Sequence, residues 1–342
     1  MSKGFGRVER RREKLEQAHD RLKDLEQMVP WQVFADTLAS LAPTERKSKA
    51  GRKAIDSLLL FKMLVLQQLY NLSDEQTEYQ SHDRASFRRF LGLAPEDEVP
   101  DAKTLWLFRQ QLMKAGLIEE LFAQFAEFLN EAGYAAQGGQ IIDATLIPVP
   151  IQRNTREENE QIKRGETPES WNDNPHQHSQ KDTDARWTKK NNKSYFGYKD
   201  HINIDTKYGF IRTHQVTDAS VHDSKVFSQV LDPDNQDDDI WADSAYYSVN
   251  LEIALRLLDY ISHIHERGYR NHPLDEQQKA SNREKSKTRA RVEHVFGHWV
   301  MTMGGKLVRC IGIERVRAHQ GLKDLTYNLT RYVFWQKQVS CT

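Results

Sequence analysis

The chain has 342 residues, of which 38% are hydrophobic and 29% charged, and its formal net charge is zero. That is apolar material for two or three domains under a wet surface. No stretch approaches the roughly 20 apolar residues of a membrane-spanning helix: the densest run, 58–69, is broken by Lys62 and two glutamines. The N-terminus lacks the apolar segment of a secretory signal. Cys310 and Cys341 support neither a disulfide framework nor a cysteine zinc site, so a reducing cytoplasm is the expected setting.

Zero net charge taken alone argues against a nucleic-acid partner, but the distribution argues for one. Residues 186–199 hold Arg186, Lys189, Lys190, Lys193 and Lys199 with no acid, and residues 281–317 hold nine Lys or Arg against three acids. Local patches, not the total, steer a phosphate polymer.

In chain order, residues 1–44 read as a charged helical arm whose Leu15, Leu22, Leu25 and Val29 form a short apolar seam, followed by a basic linker at 43–53. IDSLLLFKMLVLQQLY suits a largely buried helix. SFRRFLGL and PDAKTLWLFRQQL follow, the latter opening with Pro100-Asp101 as a start signal. A further helix with Ile118, Leu121, Phe122, Phe125 and Leu129 on one face stops at Gly133. Residues 45–135 are thus an all-helical module, either packing against the rest or docking on DNA.

After Gly139 the period changes. GGQIIDATLIPVP reads as a buried strand carrying Asp143. Residues 151–192 are polar and read as an insertion or mobile loop. KSYFGYKDHINID and FIRTHQVTD read as two strands joined at Thr206 to Gly209, SKVFSQVL as a helix, DIWADSAYY as a strand ending at Asp243, LEIALRLLDY as a helix and ISHIHERG as a short strand. From about Ser281 one basic helix runs through Val292, Val295, Phe296 and Trp299. Neighbouring strands followed by alternating strands and helices predict an α/β fold, a mixed sheet flanked by helices. Residues 336–342 are a tail.

Asp143 and Asp243 are each an acid inside an apolar β-pattern, QIID-ATLI and IWAD-SAYY. A buried carboxylate needs a cation or hydrogen-bond donors, and two brought side by side make a hard, oxygen-rich site for Mg²⁺ or Mn²⁺. Glu293 offers a third carboxylate in KSKTRARVEHVFGHW, with Arg289 four residues earlier on the same helical face. Two divalent ions about 4 Å apart would serve phosphodiester chemistry, and the surrounding bases would hold phosphates without reading sequence. A lone strand-end aspartate usually caps a turn and Arg/Glu at i, i+4 is usually an ordinary helix pair; three acids in this order are harder to explain that way. Among rival acids, Asp223 reads as a helix N-cap, Asp200 and Asp205 face either in or out, and Asp237, Asp238 and Asp239 read as a solvated loop. The pairs His176/His178 and His263/His265 lack a third zinc ligand, and His294 reads as a group supporting Glu293.

Five pieces, IIDATLIPVP, WTKKNNKSYFGYKDHINID, VTDASVHDS, WADSAYY and RARVEHVFG, resemble in order and spacing the bacterial DDE transposases of the insertion-sequence-five family. GRKAIDSLLLFKMLVLQQLY, SFRRFLGL and PDAKTLWLFR resemble that family's N-terminal domain, so the likeness spans roughly residues 45–335. It implies an RNase H-like catalytic core over 136–335, with the first Asp on the first strand, the second on the fourth and the Glu on a following helix. It implies Asp143, Asp243 and Glu293 as catalytic residues and ligands of two Mg²⁺ ions, with Mn²⁺ as a substitute. It implies cleavage at the inverted-repeat ends of an insertion element and joining of the freed 3′-hydroxyl to target DNA. Double-stranded DNA is the implied partner, in a homodimer or larger synaptic complex. The family signature Y-x2-R-x3-E-x6-K maps onto Arg289 and Glu293, but places Ser286 where Tyr is common and Val300 where Lys is common; Lys306 lies six residues further on. Arg289, Arg291, Lys190, Lys193, Tyr195 and Lys199 become the expected DNA contacts, the tyrosine by stacking on bases. The rival expectations are a catalytically silent relative that only occupies element ends, and an RNase H-type nuclease that cuts without joining.

Overall fold

The structure, a computed structural model, describes residues 14, 20–41, 55–172, 174–190, 192–269 and 271–340. The linker expected at 43–53, Leu15 and Cys341 lie outside the described residues. Among the described residues, no helix is long and apolar enough to cross a membrane.

The N-terminal half is helical. α1 (Arg21–Met28) starts at Asp20, whose carboxylate accepts from Leu22 N at 3.0 Å. A 3₁₀ turn (Trp31–Phe34) leads into α2 (Ala35–Ala39). α3 (Ser57–Tyr70) is capped by Asp56 and ends on Asn71 in the left-handed region, φ 49°. It is buried from Leu60 to Leu69 all round, as a helix without a polar face must be. α4 (Asp74–Asp83), α5 (Ala85–Leu91), α6 (Ala102–Lys114) and α7 (Leu117–Glu131) surround it. The expected start at Asp101 holds, its side chain accepting from Thr104 N at 2.6 Å.

The apolar seam of the N-terminal arm, where the structure describes it, docks on the rest of the molecule. Leu22, Leu25, Trp31, Phe34 and Leu38 are buried in one cluster with α3 to α7, and that cluster continues through Ile141, Ile202, Val292, Trp299 and Leu325. Helical and catalytic halves therefore share a core.

Six strands form one mixed sheet: β1 (Gln140–Pro148), β2 (Arg186–Lys190), β3 (Lys193–Asp205), β4 (Ile211–Asp218), β5 (Asp239–Ala242) and β6 (Ile261–Ser262). β3 pairs antiparallel with β1 and β4; β5 runs parallel to β1, and β6 parallel to β5. The spatial order β4-β3-β1-β5-β6 is the RNase H-like arrangement, with β5 fourth of the core strands once β2 is set aside as a hairpin extension of β3. β1 and β3 are buried along most of their length, as central strands covered on both faces are.

Further expectations are corrected. Residues 151–192 are not a structureless loop. They fold into α8 (Arg156–Lys163), α9 (Glu169–Asn172), α10 (Pro175–Ser179) and β2. A capping box of Thr155 and Glu158 starts α8, and Glu158 also accepts from the indole of the fully buried Trp171 at 2.8 Å. The long basic helix is two helices, α13 (Glu276–Arg289) and α14 (Val292–Met301), broken at Ala290 and Arg291. SKVFSQVL shrinks to a 3₁₀ turn (Asp223–Lys225) and α11 (Phe227–Val230), and the turn is capped by the His222 side chain, not by Asp223. α12 (Val249–Leu257) and the long α15 (Ile313–Ser340) complete the chain; α15 absorbs much of the expected tail and packs against β4, α3 and α7.

Candidate active site

Strand register brings the first two acids together. Ile142 of β1 lies opposite Ala242 of β5 in a parallel pair, so the next residues, Asp143 and Asp243, emerge side by side where β5 ends. Asp143 is buried, 8% exposed. Its Oδ1 accepts from Ala144 N at 2.7 Å and its Oδ2 from Arg289 Nη1 at 2.5 Å. Burial drives the Asp143 carboxyl up to about 7; Arg289 opposes this, and the charges of Asp243 and Glu293 add to it. Asp243 is half-buried and its Oδ1 accepts from Ala245 N at 2.8 Å in the turn after β5. Glu293 is exposed on the first turn of α14, lining a cleft with Thr206, Arg291, His294 and Arg331.

The three acids thus act on one another electrostatically, but they do not form a closed cage. The set of three ligand groups that closes to within 4.8 Å among the described residues is a different one, Asp200, His214 and Asp324. Asp143 and Asp243 are a pair, and Glu293 stands outside it. An oxygen-only, net-negative group held partly protonated by burial and repulsion is one that a divalent cation discharges, so these residues fit Mg²⁺ or Mn²⁺.

Lys306 completes the electrostatics. It follows α14 in the chain, and its Nζ donates to Thr145 Oγ1 at 2.6 Å. Thr145 is two residues along β1 from Asp143 and therefore on the same face. Burial lowers the Lys306 pKa while Glu293 and Asp143 hold it up. Val300, at the signature lysine's position, is 51% exposed. Ser286, at the tyrosine's position, donates to Asn282 O at 2.7 Å and lies 3.2 Å from His265 Nε2. Sequence reasoning missed Tyr246, three residues after Asp243. Its buried hydroxyl lacks a partner among the described residues, and burial with the charges of Asp143, Asp223 and Asp243 raises its pKa.

The expected DNA contacts divide. Lys190 and Lys193 pair across the exposed end of the β2–β3 hairpin, and the Lys190 charge reaches Lys306. Tyr195, 36% exposed, lines a cavity of about 280 Å³ with Leu146, Pro148, Val300 and Lys306. Arg291 donates to Thr206 O at 2.7 Å from the rim of the Glu293 cleft. Two residues turn inward instead: Arg289 onto Asp143, and Lys199, which donates to Val221 O at 2.7 Å and to Asp223 Oδ1 at 2.8 Å. Alternation along β3 places Lys199 on the sheet face opposite Asp200, where a partner acid was waiting. Asp205 is structural, accepting from Arg212 Nε at 2.9 Å and Tyr208 N at 2.6 Å.

Residues 135–329 match the family described as the transposase DDE domain, and residues 9–111 match a transposase domain (DUF772). A cryo-EM structure of a piggyBac transposase synaptic complex with hairpin DNA is a distant likeness, with TM-score 0.46 and 11% identity over 95% of this chain and 76% of that one.

Proposed function

As the chain belongs to the transposase DDE domain family, whose activity is DNA cleavage and strand transfer, we propose that it is an insertion-element transposase of the insertion-sequence-five kind acting through Asp143, Asp243 and Glu293. The observation that carries this is the Ile142–Ala242 register, which sets two acids a hundred positions apart at adjoining strand positions. The mutual charge effect that reaches Glu293 supports the third.

Asp143, Asp243 and Glu293 would hold Mg²⁺ or Mn²⁺, which when bound supplies charge neutralisation at the phosphate and a lower pKa for the attacking hydroxyl. Glu293 stands exposed on the first turn of α14 as the third carboxylate of the set. Arg289 fixes the orientation of the Asp143 carboxylate, with its second oxygen held by Ala144 N. Lys306, steered by Thr145, presents an ammonium on the same sheet face for a non-bridging phosphate oxygen. Arg291, Lys190 and Lys193 hold the flanking backbone of double-stranded DNA. Water forms one P–O bond at the element end as the P–O3′ bond breaks, leaving a 5′-phosphate and a 3′-hydroxyl, the proton lost by the water balancing the one gained by the departing 3′-oxygen. That hydroxyl then forms a new P–O bond in target DNA while another is released. Joining two element ends requires a homodimer or larger synaptic complex.

The test is a Mg²⁺-dependent nicking and strand-transfer assay on duplexes carrying the inverted repeats that flank the reading frame. Asp143→Ala, Asp243→Ala and Glu293→Ala each abolish both products while DNA binding survives. A variant that still cuts removes that residue from the mechanism. Binding without any cutting by the wild type marks a silent relative, and cutting without joining marks a nuclease.

A further inference from the structure

On the same sheet face as Asp143 lies a second polar group that the chemistry above does not use. Thr145 of β1 pairs with Asp200 of β3, and His214 of β4 pairs with Ile202, so Asp200 and His214 project from one face of the sheet as diagonal neighbours. α15 covers that face and adds Gln320 and Asp324, which at i and i+4 share one side of the helix. Asp200 and Asp324 are fully buried and Gln320 is 1% exposed.

Seven side-chain atoms here are sealed from solvent with no well-aligned partner outside the group: both oxygens of Asp200, both of Asp324, His214 Nδ1, and both amide atoms of Gln320, with Asp200 lying against Gln320 and Asp324. Buried polar atoms are ordinarily paired, and leaving them without a partner opposes folding. The neighbouring cations do not pair with them. Lys323 Nζ donates to Gly305 O at 2.5 Å, and Lys306 is held by Thr145. The imidazole edge is fixed by Phe122, ring centroids 4.9 Å apart.

The donors have the spacing of ligands. One atom from each of Asp200, His214 and Asp324 lies within 4.8 Å of the others, and His214 Nδ1 is 3.5 Å from Asp324 Oδ2. Ligands about 2.0–2.1 Å from a tetrahedral zinc stand roughly 3.4 Å apart. One imidazole nitrogen with carboxylate oxygens suits Zn²⁺ better than the all-oxygen coordination of Mg²⁺, and two carboxylates balance its charge.

We propose that Asp200, His214 and Asp324 bind one structural Zn²⁺ that pins α15 to β3 and β4, with the Gln320 amide oxygen as fourth ligand. The site is separate from Asp143, Asp243 and Glu293. Because it is closed, the ion enters as the chain folds, and its binding free energy becomes folding free energy.

The experiment uses the full chain carrying Asp143→Ala, Asp243→Ala and Glu293→Ala, which removes the catalytic carboxylates. The protein is unfolded with chelator, refolded with or without Zn²⁺, and passed through gel filtration. One zinc per chain is expected by elemental analysis, with a higher unfolding temperature than the zinc-free preparation. Adding His214→Gln and Asp324→Asn brings zinc to about zero per chain. Refolding with Co²⁺ gives the visible d–d absorption of a four-coordinate site when the cluster is intact. If the five-fold variant does not refold, the cobalt spectrum of the three-fold variant decides. Absence of that absorption, no zinc uptake by the three-fold variant, or zinc retained after His214→Gln overturns the proposal. None of these readouts depends on DNA cleavage.

Discussion

Replacing Asp143 with asparagine is expected to stabilise the metal-free protein while removing its chemistry. The carboxyl is almost fully buried, and burial with the charges of Asp243 and Glu293 moves it from 3.8 to about 7 despite Arg289. The native state therefore binds a proton across that window that the unfolded chain has released, so stability falls as pH rises from about 4 to about 7 and stays lowered above it. At roughly 1.4 kcal/mol per pH unit, the ionised form costs the fold about 4 kcal/mol at pH 8.5. Asparagine keeps the shape and never ionises. Arg289 loses its partner, but its side chain is 22% exposed and reaches water. At about 1–2 °C per kcal/mol for a chain of this size, the variant melts some 4–8 °C above wild type at pH 8.5 in EDTA. The gap narrows to about 1 kcal/mol by pH 4.5, where the native carboxyl is protonated and the unfolded chain is still largely ionised. Mg²⁺ raises the wild-type midpoint and leaves the variant's unchanged. Thermal unfolding followed by circular dichroism at both pH values is the assay. A variant no more stable than wild type at pH 8.5, or a gap as large at pH 4.5 as at pH 8.5, refutes the reasoning.

Two further perturbations separate chemistry from architecture. Lys306→Met removes the ammonium held at Thr145 and is expected to slow cleavage about 10²-fold with DNA binding retained, with Lys306→Arg recovering part of the rate; an unchanged single-turnover rate would show that the lysine has no part in the reaction. Arg212→Ala strands Asp205, whose side chain is fully buried, and is expected to cost about 3–5 kcal/mol in urea unfolding, with Arg212→Met/Asp205→Asn recovering much of it; a loss under about 1 kcal/mol is incompatible with a closed ion pair there.

Asp143 and Asp243 were legible because an acid inside an apolar run is a chemical conflict that only a partner resolves, and the strand pattern located both at sheet positions. What the sequence did not show was register: nothing in QIID and IWAD says that Ile142 faces Ala242. Period-two alternation left Asp200 and Asp205 open between two faces, and the structure buries both completely. The same ambiguity left the direction of Lys199 open, and the structure turns it onto Val221 O and Asp223 Oδ1. The insertion looked structureless because its aliphatic content is so low. Its fold rests on one large side chain, Trp171, and on the Thr155–Glu158 capping box, and TREE was the visible trace of that box. The seam Leu22, Leu25, Val29 was read correctly as apolar, but a seam does not state its partner, and here the partner is the main core. Lys306 was noticed only by its offset from the expected position; that it returns to the site follows from the loop after α14, which spacing along one chain cannot encode.

The break between α13 and α14 explains how the third acid becomes available. In one continuous helix Arg289 and Glu293 sit at i and i+4 and form the ordinary intrahelical pair, which would neutralise the carboxylate the site needs. No Gly or Pro marks the break; it is made by i to i+3 bonds, Arg291 N to Thr288 O, Glu293 N to Ala290 O and His294 N to Arg291 O, each 3.1 Å. This tightening rotates the two side chains apart. Arg289 is redirected onto Asp143, and Arg291 onto the Thr206 carbonyl. Val292, Val295 and Trp299, all fully or almost fully buried, hold α14 against the core in that orientation. Glu293 is left exposed and within electrostatic reach of Asp143. Packing of an apolar stripe thus overrides two good helix formers at the break and frees the acid from its local partner.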